Sequence, residues 1–371
     1  MAVQNEHERR TKLRLVDVSE GTEVELQGEL GSASFTTWLP DGSGILFVGD
    51  TRTSWTSTGP QVWLQPIKGG APRRITADTS EYRNVSVTRD GHSLVAVGTD
   101  RQASLWRVSG TGEGQASKVP SMRGDGIGGM AWLGTRLLFT GFESGEPQLW
   151  TMAPDGSDRR QLTTEGWGAW PSVSADGKTI YFISARGDRL GIWRMDAGGG
   201  NARELVRVWY AGPMRLTPDG KWLYYTVRAA GRESTWRVPV EGGEPTLVVE
   251  GLGWAIAPNG RMLAGLWRLS AQSAYSMAVF SIDGGDPIHR FPGFTPGGGE
   301  KLHWTVDGKA LLLTTSERMN IWRQELGGGP LARVTNFVDA AIFGFVPSAD
   351  GSLVLTRGES LRDAFLVTGF R

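Results

Sequence analysis

A short aromatic motif recurs along this chain at an almost constant step. A small or aliphatic residue precedes a large aromatic one at Val62-Trp63, Leu105-Trp106, Leu149-Trp150, Ile192-Trp193, Thr235-Trp236, Val279-Phe280, Ile321-Trp322 and Ala364-Phe365. Successive aromatic residues are separated by 43, 44, 43, 43, 44, 42 and 43 positions. A step of about 40 to 45 residues is typical of a repeat architecture in which each module is one small sheet.

Two kinds of glycine turn recur together with the aromatic motif. The first is Asp-Gly or Asn-Gly, at Asp41-Gly42, Asp90-Gly91, Asp176-Gly177, Asp219-Gly220, Asn259-Gly260, Asp307-Gly308 and Asp350-Gly351, with Leu133-Gly134-Thr135 in the third module. Asp and Asn bond their own backbone in tight turns, and Gly adopts positive φ there without steric cost. A second glycine turn, such as Gly242-Gly243, follows the aromatic residue in the first seven modules, and the eighth module stops before its fourth strand. This order predicts four short antiparallel strands per module.

Eight modules predict an all-β chain folded as a closed eight-bladed β-propeller of four-stranded antiparallel blades, with seven blades as the alternative. The last module, from Ile342 to Phe370, supplies three strands, and the N-terminal segment Leu13 to Leu26 offers a fourth. We therefore expect strands from both termini to close the ring, with either Leu13 to Val18 or Glu23 to Leu26 as the closing strand. The expected organisation is a flexible tail over 1–11 and a single propeller domain over 12–371.

The overall charge is balanced. Lys and Arg together number 39, as do Asp and Glu, so there is no excess of positive charge and we expect no nucleic-acid partner. The chain has no cysteine, which excludes disulfides and thiolate metal sites. No run approaches the roughly 18 apolar residues of a membrane span. We expect a soluble, cytoplasmic monomer, or a periplasmic protein if the chain belongs to a longer exported or membrane-anchored one.

The modules also resemble a known repeat. Leu39-Pro40-Asp41-Gly42 through Ile75-Thr76, and Ser174-Ala175-Asp176-Gly177 through Ile192-Trp193, resemble the PD40, or WD40-like, repeat of the TolB-type β-propellers. The resemblance covers about residues 12–371. It implies binding of a protein or peptide, or sensing within a larger bacterial regulatory system. The chain departs from the hydrolase relatives because it has no Gly-x-Ser-x-Gly elbow.

Two features that suggest chemistry have structural interpretations. Gly124 to Gly129 fits the pattern Gly-x-Gly-x-x-Gly, but a strand is predicted to follow it instead of the helix that a dinucleotide site needs. We interpret it as a loop between blades. The histidines His7, His92, His289 and His303 are interpreted as structural or solvated, so neither a metal nor a cofactor is expected.

The predicted binding face is the end of the ring opposite the glycine turns, where the sequence of the loops varies most. Aromatic residues and arginines are favoured at interface hot spots. The candidate anchors are Trp55, Trp167, Trp209 and Tyr210, with Arg186 and Arg228 as polar partners. Packing against adjacent loops is the structural alternative for each of them. We expect a non-enzymatic scaffold that binds a protein, a peptide or a small effector. The alternative is a lyase or hydrolase with its site in the central channel.

Overall fold

The computed structural model describes residues 13–26, 30–51, 60–76, 78, 80–109, 116–186, 189–208, 212–229, 232–268, 273–291 and 301–370. Contacts group the chain into two compact units. Unit 1 comprises Met1–Gln102 and Ser360–Arg371, and unit 2 comprises Ala103–Glu359. The described residues form β-strands and no α-helix, which confirms the all-β prediction. Within them no helix has the length and apolarity needed to cross a bilayer.

Unit 1 contains one hairpin and two larger sheets. Its strands are β1 (Arg14–Val16), β2 (Glu23–Glu25), β3 (Leu30–Trp38), β4 (Gly44–Thr51), β5 (Gln61–Pro66), β6 (Arg73–Arg74), β7 (Glu81–Val87), the first part of β8 (Ser93–Val108) and the last part of β31 (Leu353–Thr368). β1 pairs with β2, and β3 to β6 form a four-stranded sheet. β7 pairs with the first part of β8. The core between the two sheets contains Leu46 and Val62 from one and Tyr82 and Leu94 from the other.

Unit 2 contains six sheets of four strands. Its remaining strands are β9 (Ser117–Lys118), β10 (Met130–Leu133), β11 (Arg136–Gly141), β12 (Gln148–Met152), β13 (Arg160–Gln161), β14 (Trp167–Val173), β15 (Thr179–Arg186), β16 (Arg189–Asp196), β17 (Arg203–Arg207), β18 (Met214–Leu216), β19 (Trp222–Ala229), β20 (Arg232–Pro239), β21 (Thr246–Val249), β22 (Leu252–Ile256), β23 (Met262–Trp267), β24 (Ser276–Ser281), β25 (Gly284–Phe291), β26 (Leu302–Trp304), β27 (Ala310–Thr314), β28 (Ile321–Glu325), β29 (Ala332–Arg333) and β30 (Ala341–Pro347). Five sheets are the consecutive meanders β10–β13, β14–β17, β18–β21, β22–β25 and β26–β29. The sixth combines β30, the first part of β31, the second part of β8, and β9.

The Asp-Gly turns have the predicted geometry. In the turn between β14 and β15, Asp176 Oδ1 accepts the N–H of Lys178 at 3.0 Å and Gly177 has a φ of 70°. The same bond to the residue two positions on occurs at Asp41, Asp90, Asp219, Asn259, Asp307 and Asp350. The local turn chemistry therefore sets the first hairpin in seven of the eight modules, as the sequence predicts, and the third module has only the positive φ of Gly134.

Apolar side chains fill the space between neighbouring sheets of unit 2. Clusters of buried residues join β10–β13 to β14–β17, β18–β21 to β22–β25, β22–β25 to β26–β29, and β26–β29 to the sheet of β30. Between β14–β17 and β18–β21, Arg194 Nη1 donates to the carbonyl of Val240 at 2.8 Å. A further cluster joins the sheet of β30 back to β10–β13, through Val354 and Phe139 among others. Both faces of most sheets in unit 2 are thereby covered.

Two strands differ from the prediction. The repeat predicts a loop between the second and third strands of the second and eighth modules, but β8 and β31 each continue through that position as sixteen-residue strands. Residues 99–102, Thr-Asp-Arg-Gln, contain neither Gly nor Pro, so nothing in the local sequence stops the extended backbone. β1 and β2 pair only with each other among the described strands. The two strands that complete the sheet of β30 and the first part of β31 are instead the second part of β8 and β9.

Candidate functional site

The first strands of five sheets in unit 2 meet around a small cavity, which we call the inner-strand cavity. Its volume is about 20 Å³. The residues that line it include Met130 from β10, Trp170 from β14, Arg215 from β18, His303 from β26 and Phe345 from β30. Because each comes from a different sheet, the packing of the whole unit determines how these groups are arranged.

A bulge in β14 places Trp170 at the cavity. The pairing of β14 with β15 shifts between Ala169 and Ser172, and Trp170 has a φ of 49°. Its N–H donates to the carbonyl of Gly128 at 2.7 Å. A left-handed conformation costs a residue with a Cβ about 1–2 kcal/mol, and such conformations concentrate at functional sites. The backbone at Trp170 is therefore strained where the ring joins the cavity wall.

The glycine-rich loop before β10 forms another part of the wall. Gly124, Gly126 and Gly129 have φ values of 83°, 78° and 105°, which favour glycine. A Cβ on Gly129 would lie 2.9 Å from Trp170 Cα, and one on Gly126 would overlap Thr356 Oγ1. The loop leads directly into strand β10, which confirms its interpretation as a loop between sheets.

A buried ion pair holds this loop in place. Asp125 is fully buried and accepts bonds from Arg159 Nη1 at 2.6 Å, from Arg159 Nη2 at 3.1 Å and from the N–H of Met122 at 2.8 Å. Burial raises the pKa of the Asp125 carboxyl, while the guanidinium and the N–H oppose that rise. Arg159 also bonds Glu143 at 3.1 Å and lies 4.6 Å from the centre of the Trp150 ring. Since Asp125 is the one carboxylate in residues 120–129, Arg159 neutralises the negative charge of this part of the wall.

Two residues with nitrogen-bearing side chains, Arg215 and His303, are among those that line the cavity. Arg215 Nη1 donates to the carbonyl of Met214 at 2.8 Å, which ties its guanidinium to β18. The His303 ring lies 4.8 Å from the Phe345 ring, centre to centre, at 58°. Among the described residues that line the cavity there is no Asp or Glu. The polar side chains of the lining are thus a guanidinium, an imidazole and an indole, all of which can donate hydrogen bonds.

Two of the predicted anchors take part in contacts within their own sheet. Trp167 begins β14 opposite Ala185, and its side chain is only 7% exposed. Arg186 pairs with Glu165 at 2.9 Å and lies 4.5 Å from the centre of the Trp193 ring. These contacts correspond to the packing alternative, and the predicted role of both residues in binding stays a prediction.

The other anchors lie outside the described part of the chain. Trp55, Trp209 and Tyr210 are not among the described residues. The backbone of Arg228 belongs to β19, where it lies opposite Glu233 of β20, but its side chain is not described. Their roles also stay predictions.

Sequence reasoning missed Arg215 and His303 as lining residues. It assigned His303 a structural or solvated role and did not single out Arg215. Each residue lies five positions before the hairpin glycine of its module, Gly220 and Gly308. That position alone is not a sufficient signal, because Ser172, Ala255 and Val346 occupy it in other modules and do not line the cavity.

A second cavity of about 250 Å³ lies between β18–β21 and β22–β25. Its charged groups are engaged, since Arg237 Nη1 bonds Asp283 at 2.7 Å and its guanidinium lies 4.7 Å from the centre of the Trp222 ring. Tyr224 donates its hydroxyl to the carbonyl of Ile282 at 2.8 Å. Throughout the described residues no group of three or more His, Asp or Glu is placed to hold a metal ion.

No protein-family model and no curated protein sequence matches this chain. Similar solved structures include β-propeller proteins. TolB from Acinetobacter baumannii is 19% identical over 74% of this chain, with a TM-score of 0.34, and this chain spans 57% of it. A putative TolB from Agrobacterium tumefaciens is 13% identical over 96% of this chain and 98% of its own, with a TM-score of 0.32. A gluconolactonase from Xanthomonas campestris is 17% identical over 74% of this chain and 90% of its own, with a TM-score of 0.46. Because all three TM-scores are below 0.5, the description of the fold rests on the chain's own sheets and their packing.

Proposed function

We propose that Ala103–Glu359 form a closed six-bladed β-propeller. Each four-stranded sheet of this unit packs on the next, and the cluster containing Val354 and Phe139 links the sheet of β30 to β10–β13. The second part of β8, with β9, supplies the two outer strands of the last blade. This closure uses strands from both ends of the unit, as a propeller does to leave no exposed edge between first and last blades. It places six blades in this unit, where the repeat alone predicts eight in one ring.

We also propose that this propeller is a binding module whose ligand enters the inner-strand cavity. One observation carries the proposal: residues from five different sheets line one cavity, and a tryptophan, an arginine and a histidine are among them. Ligand sites in proteins are concave, with apolar walls and a few placed polar groups. Met130 and Phe345 supply the apolar wall here, and the strained Trp170 backbone is the kind of feature found at such sites.

The ligand is proposed to be a small effector or the end of a peptide or protein chain, since the cavity admits only a small group. We favour binding over the lyase or hydrolase alternative because the polar side chains of the lining are hydrogen-bond donors. A glycosidase mechanism or a metal-dependent one needs paired carboxylates or clustered metal ligands.

A fragment screen on the full chain tests this proposal. Saturation-transfer NMR would be recorded with neutral, cationic and anionic fragments of four to six heavy atoms. In Met130→Phe the larger ring fills the cavity, so fragments that bind the parent chain are expected to lose binding. Arg237→Gln, in the second cavity, is the matched control and should retain it. Equal binding by the parent and a folded Met130→Phe variant would rule out the cavity as the site.

A further inference from the structure

One sheet of unit 1 has an open edge. Its strands are β7, the first part of β8 and the last part of β31, and no other described strand lies beyond β31 there. Each of the other sheets built from the repeat has a fourth strand. We propose that the open strand, residues 360–368, binds an extended segment of a partner protein as its fourth strand. The segment has the order basic residue, aliphatic residue, threonine.

The open strand is held in register by its inner side chains. The Phe365 ring packs edge-on against the Tyr82 ring, with centres 5.6 Å apart at 70°, and Val367 packs on the same core. Successive side chains of a strand alternate between its two faces, and Leu366, between these two, is 67% exposed. The strand therefore offers a positioned backbone edge and an exposed apolar side chain. Such an edge can accept a further strand.

The seventh module shows how a fourth strand binds at this position. The N–H of Val334 donates to the carbonyl of Ile321 at 2.8 Å, and the N–H of Ile321 donates to Thr335 Oγ1 at 2.9 Å. The Thr335 hydroxyl in turn donates to Asn320 Oδ1 at 3.0 Å. The same pair of bonds to a strand-three residue occurs at Val62 with Ile75 and Thr76, and at Leu149 with Leu162 and Thr163.

The open strand carries the matching groups. Ala364 and Asp363 lie 43 positions after Ile321 and Asn320. The N–H of Ala364 donates to Asp363 Oδ1 at 2.8 Å, whereas the N–H of Ile321 donates to the hydroxyl of a fourth strand. A threonine from a partner can accept the N–H of Ala364 and donate to the carboxylate of Asp363. A hydrogen bond to a carboxylate is stronger than one to the amide of Asn320.

The fourth strands of other modules also indicate the basic residue. Opposite the aromatic residue of the motif lie Arg74, Lys118 and Arg333 in three of the sheets. The Arg333 guanidinium is 5.0 Å from the centre of the Trp322 ring, and Phe365 is the aromatic residue at that position of the open strand. Every described fourth strand already pairs in its own sheet, and β1 pairs with β2. We therefore assign the segment to another protein.

The test is fluorescence anisotropy of the full chain with a labelled peptide. The peptide has the sequence of residues 331–337, Leu-Ala-Arg-Val-Thr-Asn-Phe, which contains the fourth strand of the seventh module. Replacing its threonine by alanine should weaken binding at least about tenfold, because a bond to a charged group is lost. Replacing its valine by N-methylvaline removes the N–H that would donate to the carbonyl of Ala364, and should weaken binding at least about threefold. Equal binding by the three peptides, or no binding, overturns the proposal.

Variants connect the binding to the open strand. Asp363→Ala removes the acceptor of the threonine hydroxyl and should weaken binding at least about tenfold. Asp363→Asn reproduces the group at Asn320 and should lose less. Glu20→Ala, an exposed carboxylate elsewhere in unit 1, is the control and should bind like the parent chain. Asp363 is itself exposed, and thermal unfolding establishes that each variant is folded. Equal affinity of Asp363→Ala and Glu20→Ala contradicts the proposed register.

Hydrogen exchange measured by mass spectrometry locates the peptide without any substitution. Added peptide should slow exchange in residues 360–368. Slower exchange confined to β28 would mean that the peptide replaces β29 in the seventh module, and it would overturn the proposal. Slow exchange in residues 360–368 without peptide would show an edge that is already occupied, and would also overturn it. The occupant would then be a second copy if this protection depends on protein concentration, and a segment of the same chain if it does not. Since the open strand belongs to unit 1, none of these results bears on the inner-strand cavity of unit 2.

Discussion

Asp125 and Arg159 form a bidentate ion pair that joins the glycine-rich loop before β10 to the residue just before β13. The carboxylate is completely buried, and the guanidinium lies against the Phe139 and Trp150 rings. The loop held in this way contains Gly126 and Gly129, which line the inner-strand cavity. The pair therefore connects the stability of unit 2 to the shape of its proposed ligand site.

Removing one partner of this pair should destabilise the protein strongly. Asp125→Asn leaves the partly buried Arg159 guanidinium without its main counter-charge. Such a change lowers the free energy of unfolding by about 3–5 kcal/mol. Glu143→Gln, which removes the more exposed partner of the same arginine, should cost about 1 kcal/mol or less. Urea denaturation measures both. Equal costs for the two variants would contradict the structural role given to Asp125.

The glycines of the loop should differ in their tolerance of alanine. Gly129→Ala combines a positive φ with a contact of 2.9 Å to Trp170 Cα, so we expect a cost of about 2–4 kcal/mol. Gly134→Ala is the control, because Gly134 also has a positive φ of 59° but no atom within 4 Å of its added Cβ, and about 1–2 kcal/mol is expected there. Thermal unfolding gives the comparison. A Gly129→Ala variant no less stable than Gly134→Ala would show that the loop can move away from β14.

Acidification should destabilise the hairpin turns. Hydroxyl groups of nearby Ser or Thr lower the pKa of Asp90, Asp176, Asp219, Asp307 and Asp350 below 3.8. A carboxyl whose pKa is lower in the folded than in the unfolded state stabilises the fold above about pH 4, and this stabilisation is lost as the pH falls through the folded pKa. Urea midpoints between pH 7 and pH 2.5 should therefore decrease towards the acid end.

A single substitution isolates the contribution of one turn. Asp307→Asn keeps an oxygen acceptor and copies the turn at Asn259, whose Oδ1 accepts the N–H of Arg261 at 2.9 Å. The variant should lose stability less steeply on acidification than the parent chain. An identical slope in both would mean that this turn does not contribute to the acid response.

The proposed six-bladed closure predicts a specific cross-link. Arg107 in β8 forms an ion pair with Asp350, in the turn before β31, at 3.2 Å. In an eight-bladed ring these residues would belong to the second and the eighth blades. The chain has no native cysteine, so Arg107→Cys/Asp350→Cys should be joined by a short bis-maleimide, as seen by a mobility shift and by mass spectrometry of the linked peptides. Each single-cysteine variant is the control, and failure of the pair to link within one chain would contradict the pairing of β8 with β31.

The predicted anchors can be tested without disrupting the fold. Trp167 is only 7% exposed, so its replacement by alanine would lower the free energy of unfolding by about 3–5 kcal/mol. A loss of binding in that variant could not be separated from a loss of folding. Arg186→Gln removes an ion pair whose partner Glu165 is 78% exposed, and the expected loss of stability is about 1 kcal/mol or less. If the variable-loop end binds a protein, Arg186→Gln should reduce capture of that protein from lysate. The control is Arg160→Gln, which removes an exposed ion pair between Arg160 in β13 and Asp158. Equal capture would argue against a contribution of Arg186 to that face.

Much of the module can be predicted from local sequence because its chemistry is local. An Asp or Asn side chain bonds the N–H two residues on, and glycine accepts the positive φ that follows, wherever the rest of the chain lies. The four-stranded order, the all-β class and the loop at Gly124 to Gly129 were accordingly predictable.

The tertiary structure decided which strands meet and which side chains converge. The backbone edge of one antiparallel strand is chemically like that of another, so a constant repeat does not determine whether the second part of β8 stays in its own module or joins the sheet of β30 and β31. Arg215 and His303 are 88 positions apart and become neighbours of one cavity only when the sheets pack around it. The amino-acid sequence by itself therefore determined the repeating sheet and its turns. The blade partners and the proposed ligand site depend on contacts between distant segments, which local turn chemistry does not specify.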